Sequence, residues 1–367
     1  MSTLHQILEV GDLNQSLELL KTWGYQVKPY GDLILVKTTD RVVNHQYKEH
    51  NLKGLICTTD GTIVAPGCTV PLDENAESPS DILHYSKARD GVLFRFYHHN
   101  NTVKMSTSGR IVPNTSWGER GCKSFLELLS DVKEQWTSDL LHKDWCYYAI
   151  LEHKDFTNIV KHPMSRLTLI SIIDTKTLKP VDLDKSSAFV NKEVFFAEAP
   201  LLSEKSACPV SEDDVGYNIH YANCVRRVES PLYLSAQKIK PNLPDPRQHW
   251  VNLYKKDNDT TFTDDVSNID TYLAIFPWQT EIFEEMHKRY CHMVDDIVSN
   301  YHNIVNHGWR RSNVFPRYVK YMNDLIQLNI SNAGYKEIAD HLISQEVPRI
   351  YYMLNPYDVA PYNGNLR

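Results

Sequence analysis

The chain has 367 residues, 42% hydrophobic and 23% charged, with a formal net charge of −7. That length fits two domains, and the negative balance excludes a general polyanion-coating protein while leaving room for a local basic groove. No run of about 18 apolar residues occurs, which excludes an ordinary transmembrane helix. The N-terminal MSTLHQILEVGDLNQ lacks the basic and apolar regions of a signal peptide, so the expectation is a soluble, cytoplasmic protein with no membrane partner. The seven cysteines (Cys57, Cys68, Cys122, Cys146, Cys208, Cys224 and Cys291) are odd in number and contain no CxxC pair. Neither a disulfide framework nor a zinc ribbon is indicated. P-loop, dinucleotide-fold, HExxH and GxSxG motifs are all absent. His287, Cys291 and His292 give an i, i+4 pair with no second ligand pair beside it.

Leu4, Ile7 and Leu8, then Leu17, Leu19 and Leu20, have helical spacing broken around Gly11. A short apolar strand follows at 33–36, and 55–57 with 62–64 flank Asp60-Gly61 as a hairpin. The Pro- and Ser-rich stretch 65–80 reads as loop. In SKARDGVLFRFYHHNNTVKMSTSGR (86–110), Val92, Phe94 and Phe96 alternate with Leu93, Arg95 and Tyr97. That is the pattern of a strand buried mainly on one face. Asn100-Asn101 suits a tight turn, and 103–107 returns as the second strand. Asp90-Gly91 sets a carboxylate beside a residue without a side chain at the mouth of the hairpin, where a nucleotide or metal can approach closely.

Helical spacing recurs over 123–141. Trp145 to Glu152 then reads as a strand, as does Leu167 to Asp174, closed by a turn at 175–177. Residues 176–214 form a long polar connection, and 216–220 and 232–240 are candidate strands. Pro-rich 242–248 and polar 255–265 mark a change of texture. Beyond about 265, Phe283, Met286, Tyr290, Met293, Ile297, Tyr301 and Ile304 step along one face of a long helix. Residues 317–328 and 335–344 read as two more helices. The chain is therefore an α+β protein, with a mixed domain over 1–250 containing antiparallel sheets and an all-helical domain over 251–367.

Asp90, Glu152, the run Glu212-Asp213-Asp214, and Lys238 with Lys240 fall at strand ends. In a strand, Lys238 and Lys240 point to the same side. Their mutual repulsion, roughly several tenths of a kcal/mol, is removed by a bound phosphate. Carboxylates on other strands suit Mg²⁺, which takes oxygen ligands together with substrate phosphates. The same residues also describe a solvated strand face with ordinary surface acids.

The order of these motifs resembles the covalent nucleotidyltransferase superfamily, in particular RNA ligases of the phage T4 RNA ligase 1 family. The family's KxDG motif corresponds to Ala88-Arg89-Asp90-Gly91, and the strand ending in a glutamate to ILEHKDFTN, with Glu152 and Asn158. LTLISIID, VGYN and QKIK follow in the family's order, and NLKGLICTTDG resembles its upstream basic-Gly-apolar strand. The resemblance implies a nucleotidyltransferase-type fold, ATP with Mg²⁺ or Mn²⁺, and RNA partners bearing 5′-phosphate and 3′-OH ends. Such ends are joined, in RNA repair, through lysyl-AMP and RNA-adenylate intermediates. It places Ala88 at the nucleophile position, gives Asp90, Glu152 and Asp214 to the metal, and sets Lys53 against the triphosphate. Arg89, Gly91, Arg110 and Asn158 complete the nucleotide site, with Lys238 and Lys240 on the α-phosphate.

The sequence departs from that pattern at the centre. An alanine cannot form a phosphoramide bond. Ser108 stands where a basic residue precedes the glycine, and Val215 where a glutamate is expected. Three explanations are open: an engineered lysine-to-alanine change, a natural pseudo-ligase that binds ATP or RNA ends, and Lys87 acting through a local bulge. A capping-type GMP transferase is a further alternative. In GWRRSNVFPRYVKY (308–321), Arg310, Arg311, Arg317 and Lys320 interleave with Trp309, Phe315, Tyr318 and Tyr321. This is either a platform for unpaired RNA bases or a helix start with its aromatics in the core.

Overall fold

The computed structural model describes residues 12–37, 52–67, 81–117, 122–202, 209–221, 225–240, 243, 245–258, 267–308, 314–328 and 334–354. The chain divides into two compact units, the first reaching Ser235 and the second running from Ala236, with 118–120 and 207–209 grouped with the second. Among the described residues no helix is long and apolar enough to cross a membrane. The expected helical stretch at 4–8 and the loop at 68–80 lie outside the described residues.

The first unit opens with helix α1 (Leu13–Thr22), whose N-cap Asp12 accepts from the Gln15 amide at 2.9 Å. Strands β1 (Gln26–Tyr30), β2 (Leu33–Lys37), β3 (Ile56–Thr58) and β4 (Ile63–Ala65) form an antiparallel sheet in chain order. Ile34 and Val36 face a core shared with Leu20, whereas Leu33 and Leu35 face one shared with Tyr97 and Tyr148. The run Leu33 to Val36 is apolar throughout because both faces of β2 are covered there.

Strands β5 (Ile82–Lys87), β6 (Val92–His99) and β7 (Thr102–Thr107) follow, then helix α2 (Phe125–Ser130), β8 (Trp145–Glu152), β9 (Arg166–Asp174), β10 (Pro180–Val181), β11 (Asn191–Lys192), β12 (Phe195–Phe196), β13 (Gly216–Tyr221) and β14 (Val225–Glu229). The largest sheet has the order β10-β9-β8-β6-β7, with β11 parallel to β9; a third sheet has the order β12-β5-β13-β14. The β6–β7 turn carries positive φ at both Asn100 (50°) and Asn101 (56°), the requirement of a two-residue type I′ hairpin.

Three expectations need correction. Strand β6 is buried on both faces, because it is central in its sheet and the first sheet packs on its second side. Phe94 and Phe96 join the large core, Tyr97 joins the other, and Arg95 is fully buried between them. The region 123–141 is a six-residue helix with a Ser124–Glu127 capping box, followed by 3₁₀ turns at 133–135 and 138–140. The helix ends at Asp131, and Gln135 further on is tied to other segments: its carbonyl accepts from the Val190 amide at 3.0 Å and its side chain from the Leu167 amide at 2.8 Å. Finally, 232–240 is not a strand. Helix α3 (Pro231–Ile239) begins with Pro231 at its first position and the Ser230 hydroxyl accepting from the Tyr233 amide at 3.1 Å.

The second unit is helical from its start, earlier than the change of texture at 265 implied. Helix α4 (Pro246–Asp257) is capped by Asp245, and α5 (Asn268–Ile275), α6 (Thr280–His307), α7 (Pro316–Gln327), α8 (Tyr335–Ile343) and α9 (Val347–Leu354) follow. The stripe from Phe283 to Tyr301 is buried along α6 as its spacing requires. In 308–321, Tyr318 and Tyr321 are core residues, while Arg317 lies over the rings of Phe315 and Tyr318. Trp309, Arg310 and Arg311 lie outside the described residues.

Gly91 is required by the fold itself. A Cβ there would sit 2.5 Å from the Leu151 carbonyl oxygen and 2.8 Å from Ile150 Cγ2, so the close approach is that of strand β8 rather than of a ligand. Gly91→Ala is expected to lower stability by about 1–3 kcal/mol through overpacking. Urea denaturation of the full chain measures this, and an unchanged midpoint would contradict the packing described.

Candidate functional site

The site forms where β5 ends and β6 begins. The Ala88 amide donates to the Gly216 carbonyl at 3.0 Å, and the side chain is fully buried. The β5–β13 ladder is regular from Lys87 opposite Tyr217 to His84 opposite His220, its only register shift lying at His220/Tyr221. Residues alternate across a strand, so Ala88 shares a face with Ser86 and His84, and Lys87 lies on the other, its Nζ 2.7 Å from Asp213. The bulge that would bring Lys87 to the position of Ala88 is absent from this ladder. Beside Ser86 on the same face stand Asn218 and His220 of β13 and, opposite Asn218, Arg227 of β14. Ser86 Oγ and His220 Nε2 are 2.8 Å apart. The rings of His84 and Phe195 are 4.1 Å apart. Burial, aided by neighbouring His84, pushes the pKa of His220 down to about 4, so at neutral pH this face is aromatic and uncharged at His220.

Asp90 lies under the mouth of the hairpin. One carboxylate oxygen accepts from Asn158 Nδ2 at 2.7 Å and from the Tyr233 hydroxyl at 3.1 Å. The other accepts from the Ile159 and Val160 amides, both at 2.7 Å. With four donors in place, Asp90 holds the 158–160 loop and is not directed at a metal. That corrects its expected role, and Asn158 serves Asp90.

Next to it, Arg89 reaches Glu152 at 2.9 Å and Glu193 at 3.1 Å. Arg166 reaches Glu152 at 2.9 Å and Glu212 at 3.0 Å. His162 closes the chain, with Nε2 2.6 Å from the Asp90 carbonyl and Nδ1 3.1 Å from Glu212. Both ring nitrogens thus have an oxygen within hydrogen-bond distance. Burial opposes the ionised form of Glu212, but the His162 hydrogen bond and the Arg166 charge outweigh it and lower its pKa. For Glu193 burial prevails over Arg89 and raises the pKa, and its Oε1 has no hydrogen-bond partner.

A divalent cation does not fit these side chains as they stand. Among the described residues, the groupings of possible ligands are Glu152-His162-Glu212 and Asp131-His153-Asp155. The first is filled by Arg89 and Arg166, the second by Lys123 at 2.6 and 2.9 Å. Asp214 Oδ2 accepts from the Ser211 amide at 2.9 Å and hydroxyl at 2.6 Å, an N-terminal cap. Glu152 therefore stands at the site as an arginine partner. Lys53 and Arg110 are exposed, on segments flanking Ser108 and Gly109. Lys238 and Lys240 lie in the second unit, Lys238 within α3. Two residues apart on a helix point roughly 200° apart, so the shared strand face expected of them does not exist.

Sequence reasoning missed Arg166, Glu193, His162 and Arg227. Arg227 Nη1 donates to the Arg89 carbonyl at 3.1 Å, and its Nε is 2.8 Å from Glu229. The signal was present in VRRVE, a short alternating run directly after VGYN that reads as the returning strand of a hairpin.

No family model matches the chain, and no curated protein matches it. Among solved structures it is similar to one described as "Putative ATP-dependent DNA ligase from Aquifex aeolicus", with a TM-score of 0.40 and 10% identity over 75% of this chain and 76% of that one.

Two expectations follow. Asp90→Ala leaves the Ile159 and Val160 amides buried without an acceptor, at about 1–3 kcal/mol each; a loss below 1 kcal/mol in chemical denaturation would show that the loop is held otherwise. His220 and His249 both have folded pKa values of about 4 against 6.5. The unfolded chain therefore takes up protons first, and stability, full above about pH 6.5, declines as pH falls towards 4. The Tm should drop between pH 7 and 4.5, and the drop should be shallower in His220→Gln.

Proposed function

We propose that the first unit is the adenylyltransferase module of an ATP-dependent RNA ligase, stopped before its first chemical step by the alanine at position 88. The observation that carries this reading is convergence. Ala88-Arg89-Asp90 and the segment bearing Glu152 and Asn158 are two motifs some 60 residues apart in the sequence, yet they meet through ion pair and hydrogen bonds at one strand junction. The same junction receives Gly216 of the VGYN segment.

In such chemistry a lysine amine attacks the α-phosphorus of ATP, a phosphoramide bond forms, and pyrophosphate leaves with the electrons of the broken P–O bond. The AMP then passes to a 5′-phosphate RNA end, and a 3′-OH displaces it. An amine at position 88 would emerge from a buried strand end, a setting that favours the neutral nucleophilic form. The methyl group of Ala88 has no lone pair to offer. Asp90 acts on this reading by fixing the backbone that presents position 88, and the buried arginine–glutamate pairs hold the adjoining strand ends.

A second reading, a nucleotide- or RNA-end-binding module without transfer activity, is favoured by one feature. Glu152 is already paired with two guanidinium groups, so the carboxylate expected to work on a metal is engaged within the protein.

The test is to restore the amine. Ala88→Lys, incubated with α-labelled ATP or GTP and Mg²⁺, is expected to retain label from ATP on the denatured protein. Label from GTP alone would make the module a capping-type transferase. Absence of label with both nucleotides would overturn the ligase reading in favour of the binding module.

A further inference from the structure

Strand β7 is the outer strand of the largest sheet, and the state of its edge follows from the ladder. The two-residue turn at Asn100-Asn101 makes His99 and Thr102 the first hydrogen-bonded pair. Such pairs alternate along an antiparallel ladder, so Lys104 and Ser106 bond to β6 while Val103, Met105 and Thr107 turn their backbone groups outwards. Thr107 conforms: its amide donates to the Arg110 carbonyl at 2.9 Å, and its carbonyl accepts at 2.9 Å from Arg95, which also holds the Gly54 carbonyl. Among the described residues nothing bonds to the outward N–H and C=O groups of Val103 and Met105.

Beyond the Thr107–Arg110 bridge the returning chain forms no further ladder with β7 among the described residues, and a cavity of about 350 Å³ is lined by both segments. Val103, Met105, Ile111, Pro113 and Leu126 give it an apolar wall. Asp32, also on the lining, is engaged by His99 at 2.9 Å and Asn100 at 3.2 Å. Lys104 is exposed, and among the described residues no carboxylate meets it. The place is separate from the Ala88 junction. Met105 and Val103 stand opposite Phe96 and His98, four and six residues along β6 from Val92, roughly 13–20 Å at the rise of a strand.

An edge with unpaired donors and acceptors selects another extended strand, and an adjoining apolar cavity selects its side chains. A second copy of β7 fits poorly. Two-fold pairing centred on Lys104 sets two ammonium groups opposite one another, where like charges repel. A strand with a carboxylate opposite Lys104 has the complementary charge, and the residues on either side of that acid point to the face of Val103 and Met105.

We propose that the outer edge of β7 binds an extended peptide segment reading apolar–acidic–apolar, the acid against Lys104 and the flanking side chains in the cavity. Hydrogen bonds to the Val103 and Met105 backbone set its register. The proposal is independent of the adenylyltransferase reading, because no residue of the Ala88 junction takes part.

The probes are two acetylated and amidated peptides, Thr-Thr-Val-Glu-Val-Thr-Thr and the same sequence with lysine in place of glutamate. Each is titrated to millimolar concentration into the full chain, and the amide resonances of Val103 and Met105 are followed. The glutamate peptide is expected to shift both resonances saturably and to bind at least tenfold more tightly than the lysine peptide. Lys104→Glu should reverse that order. Val103→Pro, which removes an outward N–H and leaves the bonds to β6 in place, should abolish binding of both peptides. The Tm checks the fold, and Lys104→Glu, at an exposed position, keeps the comparison decisive should Val103→Pro unfold. No saturable shift with either peptide, or an order unchanged in Lys104→Glu, would overturn the site. Sedimentation showing a wild-type dimer that Val103→Pro dissociates would give the edge to a second copy. Slow exchange of the Val103 and Met105 amides without peptide would show the edge covered by the chain itself. Either result overturns the peptide proposal, and neither bears on the labelling of Ala88→Lys.

Discussion

The carboxylate of Asp90 is the joint on which the first unit depends. It is withdrawn from water, yet its four hydrogen bonds come from two backbone amides, an asparagine and a tyrosine. Hydrogen bonds to an ionised acceptor are stronger than neutral ones, and each donor would be stranded without it. The main chain of the same residue is used as well, because its carbonyl faces His162. One residue therefore fixes the end of β5, the start of β6, the loop after β8 and the first turn of α3. The neighbouring glycine lets β6 press against β8 at that point.

Beside this joint lies a chain of ionisable side chains in contact, from Glu193 through Arg89, Glu152, Arg166 and Glu212 to His162. Removing Arg89 would leave Glu193 buried without its ion pair, while Glu152 would keep Arg166 and Glu212 would keep His162. The network sets strand ends from three parts of the chain against each other. It also occupies the carboxylates that a metal would use, which separates the organisation of the site from the presence of a cation.

Local pattern made much of this fold legible. The β6–β7 hairpin was readable from alternating apolar residues around Asn-Asn, β8 and β9 from uninterrupted apolar runs, and α6 from its stripe. What misled was context that pattern does not carry. Arg95 looks outward in an alternating strand, but a second sheet covers that face. QKIK looks like a basic strand, but a helix already begins at Pro231, six residues before Gln237. Within the site, the motif order located Ala88, Asp90, Glu152 and Asn158 near one another. It did not reveal that Asp90 is saturated, since two of its four donors are main-chain amides with no signature in residue type. Nor did it find Arg166 and Glu193, whose roles arise from strand-end neighbours far apart in sequence.

Arg95 has a consequence reaching beyond the loops that it ties. Its guanidinium is fully buried and among the described residues is met by carbonyl dipoles instead of a carboxylate. A fixed positive charge thus lies behind the segments bearing Lys53 and Arg110, inside the low-dielectric wall where mobile ions cannot screen it. Field lines from such a charge emerge through the nearest polar surface, which here is already cationic. The buried guanidinium therefore adds to the potential behind the 108–110 turn a contribution fixed by the fold, which rotation of surface side chains does not move.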